Sequence, residues 1–125
     1  MPDNPLDAYR SVEKSTLSGR QLEASVLSKA ALKLQQAQRN WQDPDHVASL
    51  DEALKYNQRV WTFFQSEVSL PDNPLPAEIK SNILALSVFV DRRTFEVMAY
   101  PTPEKLDILI SINRNLAAGL QGDVG

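Results

Sequence analysis

The stretch DHVASLDEALKYNQRVWTFFQSEVS, residues 45–69, restricts the fold more than any other part of the chain. Within it Val47, Leu50, Leu54, Asn57, Trp61, Phe64 and Val68 recur at alternating spacings of three and four. That spacing puts them on one face of an α-helix. The face holds a Trp and a Phe, the largest apolar surfaces that side chains offer. Val60 and Phe63 lie beside it, so the apolar sector is wider than one neighbouring helix can cover. The chain must therefore supply several helices around this one.

The remaining segments read as those helices. Asn4 before Pro5 predicts an N-cap with proline in the first turn, and a short helix from about Pro5 to Lys14. A second helix is expected from about Gly19 to Gln42, with Ser18 as its cap and Leu27, Ala30, Ala31, Leu34, Ala37 and Trp41 inside. Its alanines let a neighbour approach closely. Asp43-Pro44-Asp45 stops it, and Asp45 can cap the central helix. LPDNPLP, residues 70–76, holds three prolines and cannot continue a helix, so it reads as a rigid corner.

Residues 76–100 are apolar nearly all the way round, from Ile79 through Val88, Phe89 and Val90 to Phe95 and Met98. A helix of that kind is either central or partly covered by something outside the chain. Pro101 ends it. Thr102 and Pro103 start a last helix to about Leu120, with Leu106, Leu109, Asn113, Leu116 and Leu120 as its stripe. The expected fold is an all-α, antiparallel bundle of four long helices plus a short N-terminal helix. It forms one domain over residues 1–125, with flexible ends at about 1–4 and 121–125.

Composition narrows the function. A hydrophobic share of 42% with 23% charged residues is globular. The formal net charge of −3 suits phosphate backbones poorly, so no DNA partner is expected. There is no cysteine, hence no disulfide, thiol nucleophile or thiolate metal site. The start MPDNPLDAYR lacks a basic region followed by an apolar run, so no signal peptide is expected. No apolar run is long enough to span a membrane.

Candidate chemistry is sparse. Asp43, Asp45 and His46 are close together, but His46 is the only histidine, and the group reads as helix capping beside a surface imidazole. Asp51 and Glu52 are adjacent, point apart and read as solvated surface. No glycine-rich phosphate loop exists. Neither an enzyme activity, a metal nor a cofactor is expected. Arg92 is expected to pair with Glu96 on the surface. Arg93 continues the stripe Ile79, Ile83, Leu86, Val90, Val97, at a height matching Asn57 and Asn113 on their own stripes. The register predicts a buried polar layer of Asn57, Arg93 and Asn113; the alternative is that Arg93 snorkels to solvent from the rim.

Three stretches resemble the FlaF family of flagellar regulators of α-proteobacteria. They are AYRSVEKSTLSGRQLEASVLSKAA near the start, LDEALKYNQRVWTFFQSEV in the centre, and SVFVDRRTFEVM followed by INRNLAAGL near the end. The most telling pieces are Tyr56 to Phe64, YNQRVWTFF, and Asp91 to Phe95, DRRTF. The resemblance implies a cytoplasmic protein of flagellum assembly that promotes flagellin production. Family members bind flagellin as its export chaperone and oppose the translational repressor FlbT. The resemblance supplies no catalytic motif.

The excess apolar surface agrees with that implication, since a groove can accept an amphipathic helix of flagellin. The candidate groove residues are Val60, Phe63, Val88 and Phe95, with Arg59 and Arg92 as rim charges. The second reading is an RNA-binding regulator of flagellin mRNA translation, using Arg92, Arg93 and the helix that bears Lys29 and Lys33.

Overall fold

A computed structural model describes residues 18–121. The short helix expected over Pro5 to Lys14 and the tail from Gly122 lie outside the described residues. Those residues form four α-helices and no strand: α1 (Ser18–Arg39), α2 (His46–Val68), α3 (Ala77–Ala99) and α4 (Leu106–Leu120). A 3-10 turn, Pro103–Lys105, leads into α4. Three helices have 22 or 23 residues, whereas α4 has 15, so the expectation of four long helices is corrected at the last.

The breakers act where their chemistry puts them. Proline cannot donate the backbone hydrogen bond that a helix interior needs, and it pushes its predecessor out of the helical region. Thus α3 begins directly after Pro76 and ends directly before Tyr100-Pro101. In the corner, Asn73 Oδ1 accepts the backbone N–H of Leu75 at 3.0 Å, and Leu75 is buried beneath it. Two boundaries differ from expectation. α1 stops at Arg39, short of Gln42, because the chain unwinds through a turn in which Asp43 N–H bonds Asn40 C=O. That turn brings the Trp41 ring to 5.2 Å from His46. Asp45 precedes α2 but makes no side-chain cap, since its backbone (φ −93°, ψ 12°) departs from the extended geometry that aims a cap. Thr102, before the 3-10 turn, likewise makes none.

Successive helices run antiparallel. Gln38 near the end of α1 donates to Pro103 C=O at 2.9 Å and to Asp107 at 2.6 Å, at the start of α4. Lys33 of α1 pairs with Glu52 of α2 at 2.9 Å. α1 makes its most extensive packing with α4, then with α2; α3 leans on α2 and meets α4 only sparsely. The alanines of α1 account for the closeness to α4. Ala24, Ala30, Ala31 and Ala37 are all buried, alternating with Leu27 and Leu34. On α2, Leu50, Leu54, Asn57, Trp61, Phe64 and Val68 are buried, while Val47 at the first turn is exposed.

α3 buries a different face from the one its aliphatic residues suggest. The buried stripe is Ile83, Ser87, Val90, Thr94 and Val97, so Ser87 and Thr94 replace Leu86 and Arg93 as inward residues. Each hydroxyl bonds a carbonyl of its own helix, Ser87 to Leu84 and Thr94 to Val90, both at 2.7 Å. A short side chain satisfied in this way can be buried without a tertiary partner.

Candidate functional site

The centre of the bundle is polar. Trp61 Nε1 donates to Asn113 Oδ1 at 2.9 Å, and Asn113 Nδ2 donates to Asn57 Oδ1 at 2.7 Å. All three residues are fully buried. They join α2 to α4, helices that face each other across the core. Among the described residues the Asn57 amide nitrogen has no hydrogen-bond partner. Arg93, expected in this layer, is not part of it. Its Nε pairs with Glu96 at 2.9 Å, its Nη1 donates to Lys105 C=O at 3.4 Å, and its guanidinium lies 5.5 Å from the Phe89 ring. The third member is Trp61, whose indole N–H can satisfy a buried acceptor without bringing a charge out of water. Glu96 is therefore taken by Arg93 and not, as expected, by Arg92.

A cleft of about 450 Å³ opens between the first half of α1 and the second half of α2. Leu22, Val26, Tyr56, Val60 and Phe63 line it, with Arg59 toward one end and Glu23 and Glu67 at the other. Phe63 is 47% and Leu22 52% exposed, whereas Val60, at 7%, forms the floor. Of the six residues expected to bind a partner, this cleft gathers Arg59, Val60 and Phe63. Arg92 and Phe95 lie instead in a shallow depression at the end of α3, and Val88 lines neither. Leu22 and Val26 carried a legible signal, the i, i+4 spacing just off the inner face of α1. A second cleft of about 440 Å³, between α3 and α4, is lined by Ile79, Leu86, Ile112 and Leu116; nothing in the sequence pattern marked it as open.

Charges at the α1–α2 cleft are uneven. Burial pushes the Glu23 carboxyl up, the Glu67 charge adds to that, and Arg20 partly offsets it. A carboxylate with a raised folded pKa destabilises the folded state once ionised; the cost is present above that pKa and absent below the unfolded value. Glu23→Gln is therefore expected to raise the urea midpoint at pH 7, with the gain vanishing toward pH 4. An equal gain at both pH values would show that this electrostatic strain is not the cause.

At the other end Lys29, Lys33 and Arg59 surround the Tyr56 ring at 5.3 to 5.9 Å, and Lys33 is held by Glu52. The hydrogen bond from Lys33, and then its charge, hold the Glu52 carboxyl below its usual value. Lys29 and Lys33 thus stand beside α2, and Arg92 stands apart on α3. Among the described residues, no group of three or more His, Cys, Asp or Glu side chains could hold a metal, and no helix is long and apolar enough to cross a membrane.

Two apolar clefts, one between α1 and α2 and one between α3 and α4, open on the described residues. No curated protein and no solved structure matches the chain. The family model of flagellar protein FlaF matches residues 5–120, almost the entire sequence, and the chain belongs to the FlaF family of flagellar proteins.

Proposed function

We propose that this protein binds flagellin in the cytoplasm as its export chaperone and thereby promotes flagellin synthesis and secretion. The observation that carries the reading is the α1–α2 cleft, with its apolar floor and oppositely charged ends. Flagellin subunits have terminal amphipathic helices that must stay unpolymerised before export. From Tyr56 to Glu67 the cleft follows α2 for about 16 Å, room for three turns of a bound helix. Apolar residues of the client at i, i+3 or i+4, and i+7 would meet Val60, Phe63, Val26 and Leu22. The ends set its direction, with a basic client residue beside Glu23 and Glu67 and an acidic one beside Arg59. Engagement of flagellin would then oppose a FlbT-type translational regulator.

The test is titration of this protein with flagellin, full-length and lacking either terminal helix. Phe63→Asp is expected to weaken binding about 30-fold or more. Its helicity should be unchanged, because Phe63 is already half in solvent. Unchanged affinity in Phe63→Asp would remove the cleft as the client site.

A second reading, RNA binding, draws on the cations Lys29, Lys33 and Arg59 around Tyr56. The net charge of −3 and the Lys33–Glu52 pair weigh against it. Strong, salt-sensitive retardation of flagellin leader RNA by this protein would favour it.

A further inference from the structure

The α1–α2 cleft opens beside the point where the chain enters α1. Leu22, Glu23 and Val26 on its wall belong to the first turns after Ser18, where the described residues begin. Seventeen residues precede Ser18. Within them residues 5–14, PLDAYRSVEK, have the sequence pattern of a short helix, with Pro5 in the first turn and Leu6, Tyr9 and Val12 on one side. The match to the FlaF family model takes this segment in.

Length, connection and charge all fit a return of the segment along the cleft. Ten helical residues span about 15 Å, against the roughly 16 Å over which the cleft follows α2. Residues 15–17 reach about 10 Å, the separation of two packed helix axes, and a connection of that length is ordinary in an αα-hairpin. A segment that folds back on α1 in this way runs parallel to α2. Lys14 then comes level with Glu67, and Asp7 with the region of Arg59. Glu23 and Glu67 form no salt bridge among the described residues, and Arg20 offsets only part of their charge. Arg10 and Lys14 supply the missing cations. Glu13 opposes them in part but is outnumbered. Leu6, Tyr9 and Val12 can meanwhile cover Leu22, Val26, Val60 and Phe63.

We infer that residues 5–14 fold back as a helix into the α1–α2 cleft, so that flagellin has to displace them. A short tether holds the segment at an effective concentration of about a millimolar, so even a weak contact fills the cleft. The occlusion stands on this chain alone, whereas its regulatory meaning rests on the flagellin reading above. Without a client, the protein hides its own apolar cleft from other surfaces.

Amide hydrogen exchange of the full chain, without flagellin, tests the occlusion. Amides of residues 6–14 should exchange about tenfold or more slowly than in a free peptide of residues 1–17. Phe63→Asp and Tyr9→Asp should each abolish that slowing and leave α1 to α4 protected. Glu67→Lys should reduce it, and Lys14→Glu/Glu67→Lys should restore it, which a direct pairing explains. In the titration with flagellin, Tyr9→Asp should bind about fivefold or more tightly, because its competitor is gone. Exchange over residues 6–14 as fast as in the peptide overturns the inference, as does slowing that survives Phe63→Asp. Weaker flagellin binding by Tyr9→Asp also overturns it, and assigns the segment to gripping the client. Slowing that Phe63→Asp abolishes, in a chain with no affinity for flagellin, sustains the occlusion and removes the flagellin reading instead.

Discussion

Trp61→Ala is expected to lower the stability of the folded chain by about 3–5 kcal/mol. The indole is fully buried, packs against Phe64 at 6.0 Å between ring centroids, and donates to Asn113. Truncation would remove a large apolar surface, leave a cavity between α2 and its neighbours, and strip Asn113 Oδ1 of its donor. Total stabilities of domains this size are about 5–15 kcal/mol, so the variant would sit near its unfolding threshold. Urea unfolding followed by far-ultraviolet circular dichroism measures the loss, with an unchanged slope confirming that the folded state is otherwise intact. Trp61→Phe separates the two contributions. It keeps most of the ring volume and should cost only about 1–2 kcal/mol, chiefly the lost hydrogen bond. A loss below about 1 kcal/mol in Trp61→Ala would contradict the central position assigned to this side chain.

Asn113→Ala should cost about 2–4 kcal/mol, although it deletes few atoms. Asn113 is the middle of the chain from Trp61 to Asn57, so its removal takes away the hydrogen-bond partner of both the indole N–H and Asn57 Oδ1 in the buried core. Among the described residues the Asn57 amide nitrogen has no partner. Adding Asn57→Ala removes two of the orphaned groups along with their carrier. The double variant should therefore be destabilised by less than the sum of the singles, with a coupling of about 0.5–3 kcal/mol. Strict additivity would mean that the two asparagines do not act as a unit. A buried polar network of this kind contributes little net stability, but it penalises any sliding of α2 past α4.

The Asn57–Asn113 level could be located from residue spacing, because both interrupt otherwise apolar stripes at matching distances from the corners. Its third member could not. Arg93 has the spacing of an inward residue on a stripe through Leu86, and Trp61 belongs to the apolar stripe of α2. The choice between Arg93 and Thr94 for the interior turns on a rotation of α3 of about one residue, roughly 100°. On a helix that is apolar on most sides, hydrophobic periodicity cannot set that rotation, since several faces fit about equally well. Packing against α2 sets it, and the hydroxyls of Ser87 and Thr94 make it tolerable by bonding their own helix. Arg93 is left at the rim, where Glu96 and the Lys105 carbonyl receive it.

The candidate site divides along the same line. Val60 and Phe63 stand out in the sequence as apolar residues beside an already complete stripe, and they do line a cleft. Val88 and Phe95 stand out for the same reason but belong to another surface. Excess apolar area is a property of one helix and can be counted along the chain. Which excess areas adjoin depends on how far apart neighbouring helices stand.

Residue order alone was enough to place the four described helices and most of their inward residues, including the alanines that bring α1 against α4. Those features depend on proline, on short-range hydrogen bonding and on a periodicity that acts within one segment. The azimuth of α3, the gap between α1 and α2, and the pairing of Trp61 with Asn113 were settled only when the helices packed together. Each of these is a compromise among side chains far apart in the sequence, and no local preference encodes it.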